Sequence, residues 1–201
     1  MKTKKNTNKT RKKGGHKITY DYDVNIKAGT NKPLTGKRAH EDNCVACVLH
    51  SLGFMTKDTA RYLQRRTPNG LRMQPLLDMI NDTYGEGHTF VNYKSAESLK
   101  SYLRAGEATV GNYTGKEDDG FTEWGHCFIV FHAKNGNLYS IDPQKYTVTL
   151  LQTYLSGFDM SNFYVLTEPS IHKPTQKFIT TETVKKAIDK DIALEDAFLE
   201  V

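Results

Sequence analysis

The sequence lacks the features of a membrane or secreted protein. No stretch of its 201 residues approaches the roughly 18 consecutive apolar residues of a membrane-spanning helix. Its three cysteines are too few for a disulfide framework, and no apolar N-terminal run resembles a secretory signal. These absences predict free thiols, no membrane partner, and an intracellular location in cytoplasm or nucleus. The length predicts one domain with tails.

Acidic residues are absent from the first 17 positions, which hold eight of the 28 Lys and Arg residues. With 23 acidic residues in the whole chain, the remainder is slightly acidic. A like-charged segment without large apolar residues cannot bury enough surface to become ordered, so residues 1–17 are predicted to form a disordered basic arm. Its expected partner is nucleic acid, an acidic surface or the nuclear import machinery; the alternative is a solubilising tail.

Apolar periodicity divides the rest of the chain into a helical half and a strand-rich half. Helices are predicted at 45–52, 56–66, 71–81 and 95–104. Strands are predicted at 89–93, 107–113, 126–132, 138–142, 146–151 and 162–166. This order indicates an α+β fold in which an N-terminal helical half packs on a C-terminal antiparallel sheet.

A charged amphipathic helix is predicted within residues 180–201. Its apolar positions are Val184, Ile188, Ile192 and Leu194. Docking of this stripe on the body of the protein is expected, because single amphipathic helices usually bury their apolar face on their own domain. Binding of a partner is the alternative.

Cys44 and Cys47 lie one helical turn apart, a spacing that fits a zinc clip, a redox couple or a nucleophile with a neighbour. Only His126 and Cys127 could complete a zinc site, and adjacent strand residues point to opposite faces, which disfavours zinc. A thioredoxin-type couple follows an apolar strand, whereas residues 37–43 are polar. We therefore expect no metal or cofactor.

A nucleophilic cysteine at a helix N-terminus is the third interpretation. The macrodipole and a neighbouring imidazolium would stabilise its thiolate. Cys44 is the better placed thiol, because it follows the capping-type residues Asp42 and Asn43. Cys47 lies inside the helix and is expected to be core packing, so that its replacement by Ala should spare activity.

The base must come from a histidine elsewhere in the chain, and His40, His126 and His132 are the candidates. His126 is favoured because it begins an apolar strand at the mouth of a loop, where catalytic groups are commonly placed. A lone strand histidine is more often structural. An acid that reaches the ring, such as Asp142, favours the functional interpretation.

The turn between the two strands decides whether His126 and Asp142 share a face of the sheet. A two-residue turn at 135–136 would pair residue 129 with residue 142 and separate the two side chains. A three-residue loop at 134–136, with Gly136 left-handed, would pair Val130 with Ser140. The side chains of His126 and Asp142 would then share a face of the sheet. The sequence permits both turns, and catalysis requires the second.

The stretches "DNCVACV" and "GHCFIVFHAKNGNLYSIDPQ" resemble the papain-like fold, specifically the papain-fold toxin family and related peptidases. The resemblance covers residues 43–144. It implies that Cys44 is the nucleophile, His126 the base, and Asp142 the group that orients the imidazole through its other nitrogen. A thioester intermediate would be released by water.

The same resemblance implies an oxyanion hole built from the Cys44 backbone N–H and one side-chain donor. Papain-like enzymes commonly place a Gln upstream of the cysteine, and this sequence has none nearby. Asn43 or His40 is therefore the expected donor.

The resemblance makes residues 18–166 a papain-like catalytic domain and residues 167–201 a C-terminal extension. The expected activity is a thiol-dependent cysteine peptidase that cleaves peptide or isopeptide bonds, as a deubiquitinase or ubiquitin-like protease. A glutamine deamidase of the same fold and a non-catalytic binding module are the alternatives. A Lys-, Thr- and Asn-rich arm on a compact catalytic body resembles proteins of large DNA viruses acting in the host cell, which favours the peptidase.

Overall fold

Three helices come first in the part of the chain that the computed structural model describes, which is residues 44–67, 70–116, 123–145, 147–167 and 178–199. Helix α1 spans Cys44–Ser51, α2 spans Lys57–Arg66 and α3 spans Met73–Tyr84. All three were predicted, with ends that differ by up to three residues. The predicted basic arm, residues 1–17, lies outside the described residues.

Local chemistry sets the boundary between the first two helices. Gly53 takes a φ of 79°, a left-handed conformation that ends α1, and the Phe54 N–H donates to the Leu49 carbonyl at 2.8 Å. Thr56 then caps α2, because its hydroxyl accepts the Thr59 N–H at 3.2 Å. The chain therefore turns sharply after α1. Hydrogen bonds define both the end of α1 and the start of α2.

The second half of the chain forms a six-stranded antiparallel sheet. The strands are β1 Thr89–Asn92, β2 Ala108–Lys116, β3 Glu123–His132, β4 Leu138–Asp142, β5 Thr147–Leu150 and β6 Phe163–Thr167. Their order across the sheet is β1-β6-β2-β3-β4-β5. The protein is thus α+β, as predicted.

Helices cover both faces of this sheet. The remaining ones are α4 Ala96–Lys100, α5 Leu151–Leu155 and α6 Thr181–Leu199. Side chains alternate along β3. Ile129 and Phe131 join the core beneath α1, α2, α3 and α6, whereas Phe128 and Val130 join a second core with α4 and α5. The sheet is therefore a central layer.

Two predicted elements differ from the structure. The predicted helix 95–104 ends at Lys100, and the following turn aims the Leu103 carbonyl at the His132 ring, whose Nδ1–H donates to it at 2.6 Å. The predicted strand 146–151 ends at Leu150, where α5 begins. Leu151 and Leu155 are both buried, and a short apolar run does not by itself distinguish a strand from a helix.

The β3–β4 hairpin has the register that catalysis requires. Val130 lies opposite Ser140, and the loop consists of residues 134–136. Gly136 has a φ of 82°, in the left-handed region, and its N–H donates to the Ala133 carbonyl at 3.0 Å. Of the two turns that the sequence permits, the structure has the three-residue loop.

The C-terminal helix docks on the body, as expected. Ile179 forms a parallel bridge with Met55 just before α6, and Val184 lies in the same apolar core as α1. Lys190 also forms an ion pair with Asp78 of α3. Within the described ranges, no helix combines the length and apolarity needed to cross a membrane.

The predicted stripe of α6 is only partly buried. Val184 is fully buried, Ile188 is partly buried, and Ile192 is 52% exposed. The side chain of Leu194 lies outside the described part of the structure. Burial therefore decreases along α6: the body of the protein covers Val184, whereas about half of Ile192 remains exposed.

Two substitutions on α6 test this docking. Val184→Ala should lower the free energy of unfolding by about 2 kcal/mol, because it removes fully buried apolar surface and leaves a cavity. Ile192→Ala, on the exposed part of the helix, should change it by less than about 0.5 kcal/mol. Chemical denaturation of the two variants measures the difference, and equal losses would contradict the docked arrangement.

Candidate active site

Cys44 is the first residue of α1 and the most accessible of the three cysteines. It is 8% exposed, against 3% for Cys47 and 4% for Cys127, and all three thiols are free. The positive end of the helix dipole favours negative charge at this position. No acidic side chain in the first turn of α1 competes with the Cys44 thiolate for this stabilisation.

His126 and Asp142 are in direct contact, as the hairpin register requires. The His126 Nε2–H donates to Asp142 Oδ2 at 2.6 Å. The other carboxylate oxygen, Oδ1, accepts the backbone N–H groups of Gln144 and Lys145, each at 3.0 Å. Asp142 is fully buried with both oxygens hydrogen-bonded, so it holds the imidazole in one orientation and one tautomer. Nδ1 is then the ring nitrogen left for Cys44.

Cys44 lies against the part of β3 that carries His126. It shares one apolar core with Cys127 and Ile129 of that strand. The ladder between β3 and β4 covers residues 129–132 of β3, so His126 and Cys127 precede the part of β3 that pairs with β4.

These contacts determine where the charge of the site lies. Hydrogen bonding from Cys127 and from the His126 imidazolium outweighs burial and holds the pKa of Cys44 well below its ordinary value. Burial alone would lower the pKa of His126, but Asp142 and Cys44 raise it to about 9. Burial alone would raise the pKa of Asp142, but the hydrogen bond and charge of His126, together with Lys145, lower it. These shifts favour a thiolate–imidazolium pair beside a carboxylate.

Aromatic side chains support the imidazole from the second core. The His126 ring stacks near Phe128, with centroids 6.5 Å apart, and Phe128 in turn contacts Tyr154 at 4.8 Å. Gly111 makes this packing possible, because a Cβ there would lie 2.9 Å from the Phe128 ring. The ring that carries the proton is thus confined on its sides as well as through Asp142.

The other predicted candidates take different places. Cys47 is buried, and burial followed by the nearby negative charges raises its pKa to about 11, which keeps it a neutral thiol. His132 lies at the far end of β3, bonded to the Leu103 carbonyl. The two predicted oxyanion donors, Asn43 and His40, lie outside the described residues.

Cys127, which the sequence offered only as a possible zinc ligand, is a buried neighbour of the site. Its thiol donates to Asn112 Oδ1 at 3.5 Å, and hydrogen bonding with Cys127 contributes most to the lowered pKa of Cys44. The dipeptide His126-Cys127 was the signal available in the sequence. In the described ranges, no group of three or more His, Cys, Asp or Glu side chains is arranged to hold a metal ion.

No protein-family model matches this chain, and no curated protein matches it either.

The thiolate–imidazolium pair predicts fast alkylation of Cys44 by iodoacetamide near pH 6. An ordinary thiol is only roughly 0.3% ionised there. The pKa of Cys44 is well below its ordinary value and that of His126 is raised to about 9, so the reactive pair should persist up to about pH 9 and be lost as the pH falls through the lowered pKa of Cys44. Peptide mapping by mass spectrometry should find the label on Cys44, and Cys47→Ala should leave its rate unchanged. A rate that rises with the midpoint of an ordinary thiol would contradict the ion pair.

Asp142→Asn should disable the site without unfolding the protein. The two backbone N–H groups hold Oδ1, so the amide nitrogen would face His126 and impose the wrong tautomer on its ring. Alkylation of Cys44 at pH 6 should slow by about tenfold or more, and turnover of a substrate should fall about 10²- to 10⁴-fold. Asp159→Asn, at an exposed turn, is the matched control. Equal rates in both variants would show that Asp142 does not orient the base.

Proposed function

We propose that this protein is a papain-like thiol hydrolase that cleaves peptide or isopeptide bonds, with ubiquitin or a ubiquitin-like protein as substrate. The observation that carries the proposal is the hydrogen bond between His126 and the buried carboxylate of Asp142, next to a cysteine at a helix N-terminus whose pKa His126 helps to lower. A binding module has no need for a depressed thiol pKa beside such a pair.

The contacts fit each step of acyl transfer. The Cys44 thiolate attacks the substrate carbonyl carbon, and the Cys44 backbone N–H at the helix N-terminus donates to the oxyanion. The His126 imidazolium then gives its proton to the leaving amine, which leaves a thioester on Cys44. Neutral His126 takes a proton from water as that water attacks the thioester. The C–S bond then breaks, which releases the acid product and restores the thiolate–imidazolium pair.

Limited access to the sulfur supports a slender substrate segment. The Cys44 residue is 8% exposed and the His126 side chain 13% exposed, so a carbonyl must arrive through a narrow opening. A glycine-rich C-terminal tail, such as that of ubiquitin, meets this requirement. The side chain of a glutamine on a protein surface also meets it, so a deamidase is the competing activity.

The resemblance of residues 43–144 to papain-like peptidases also supports the choice of a peptidase. The basic arm adds a second argument, since such arms on compact catalytic bodies occur in proteins of large DNA viruses that act inside the host cell. The three free thiols fit a reducing intracellular compartment. Nucleic acid or an acidic protein surface remains the proposed partner of the arm.

Ubiquitin carrying a C-terminal electrophile tests the nucleophile and the substrate together. The native chain and Cys47→Ala should each gain the mass of one ubiquitin by intact-mass spectrometry, and Cys44→Ala should gain none. If the native protein forms no adduct while iodoacetamide still labels Cys44 rapidly near pH 6, the thiol enzyme stands but ubiquitin is excluded. Release of ammonia from a protein glutamine would then favour the deamidase.

A further inference from the structure

We infer that Tyr154 and Phe158 bind the leaving-group side of the substrate and select the unbranched stem of a lysine, so that the bond cleaved is an isopeptide bond. The inference rests on the proposed thiol hydrolase activity and deepens it, because it chooses between the two kinds of bond. It assigns a role to two partly buried aromatic rings near the imidazole.

Strand pairing places two aromatic side chains next to His126 on one face of the sheet. Tyr113 of β2 lies directly opposite His126, and paired residues of neighbouring strands project from the same face. Phe128 follows two residues along β3, so its side chain lies on this face too, with its ring centroid 6.5 Å from that of His126. Aromatic residues thus adjoin His126 both along its strand and across the sheet.

Two further rings, from α5 and from the turn after it, pack on these neighbours. The centroid of the Tyr154 ring lies 4.8 Å from that of Phe128, and the centroid of the Phe158 ring lies 4.3 Å from that of Tyr113. Tyr154 and Phe158 also contact each other, at 5.7 Å. Both of their neighbours are buried, whereas Tyr154 and Phe158 are only partly buried. They form the accessible part of an aromatic surface that begins beside the imidazole.

The proposed mechanism directs the leaving group toward this surface. His126 gives its proton to the leaving amine, so the amine nitrogen must come within about 3 Å of the imidazole. The chain attached to that nitrogen must then pass over residues next to His126. Helix α1, which carries Cys44, packs on the other face of the sheet and does not cover these rings.

The narrow opening favours a lysine stem over a main-chain segment. In a peptide bond the leaving nitrogen carries a branched Cα, whereas in an isopeptide bond it carries four unbranched methylenes. The Cys44 residue is 8% exposed and the His126 side chain 13% exposed, so the unbranched group enters more readily.

The two rings also match the stem in polarity and length. Burial raises the pKa of Tyr154, so its phenol remains neutral. A four-carbon stem is roughly 5 Å long, close to the 5.7 Å between the centroids of Tyr154 and Phe158. Methylenes that cover two uncharged rings are removed from water, which favours binding of the stem over a polar main-chain segment.

Two isomeric alkylating reagents test this selection without a protein substrate. Both are lysine amides with one iodoacetyl and one acetyl group, and they differ in whether the iodoacetyl group is on the ε-nitrogen or the α-nitrogen. The Cys44 thiolate displaces iodide from either reagent, so that an S–C bond forms as the C–I bond breaks. The ε-isomer presents an unbranched stem next to its reactive amide, and the α-isomer a branched carbon. The readout is the ratio of the two labelling rates at Cys44, each divided by the rate of the same reagent with glutathione.

The native protein should react with the ε-isomer about tenfold faster, because partial burial of four methylenes contributes about that factor. Tyr154→Ala and Phe158→Ala should each reduce the ratio to about twofold to threefold, whereas Tyr154→Phe keeps the ring and should preserve it. Tyr93→Ala is the matched control, because Tyr93 is another partly buried aromatic residue of the same core, and its ratio should equal that of the native protein. The ratio is taken within each protein, so a change in the overall reactivity of Cys44 cancels. Thermal unfolding checks that each variant is folded.

Failure of the inference is distinguishable from failure of the proposed function. Equal rates for the two isomers in the native protein would overturn the inference, as would a tenfold ratio that persists in both alanine variants. Either result leaves the thiol hydrolase standing, provided that iodoacetamide labels Cys44 rapidly near pH 6. If iodoacetamide instead labels Cys44 at the rate of an ordinary thiol, the ion pair is excluded and the inference fails with it.

Discussion

The register of the β3–β4 hairpin is the constraint on which the site depends. Side chains alternate faces along a strand, so a slip of one residue would turn Asp142 away from His126. The three-residue loop and the positive φ of Gly136 fix that register from the far end of the hairpin. The loop at one end of the hairpin thus determines which acid lies beside the imidazole at the other end.

Several charges can be buried together in this site only because each has hydrogen-bonding partners. Asp142 accepts two backbone N–H groups besides the imidazole, and hydrogen bonding with Cys127 and His126 lowers the pKa of Cys44. An unpaired buried charge would instead change its protonation state. The two backbone donors to Asp142 come from the turn that follows β4, and side-chain replacement does not remove them.

Much of this arrangement could be predicted from the sequence, because it depends on local signals. Caps and periodicity located α1, and the choice of His126 followed from its strand. The hairpin left two registers open, since both turns suit the same residues, and only packing of the whole sheet selects one. Leu151–Leu155 was misread because five residues are too few to reveal a period.

Helix α6 shares one apolar core with α1, although the two are separated by most of the chain. The surface beneath Cys44 is therefore incomplete until residues 179–187 have been synthesised and have returned to the N-terminal helices. Contacts of such long sequence separation form late and slowly. During translation, the nascent chain would present Cys44 without part of the core that positions it, and the packing beneath this thiol would be completed only once α6 has docked.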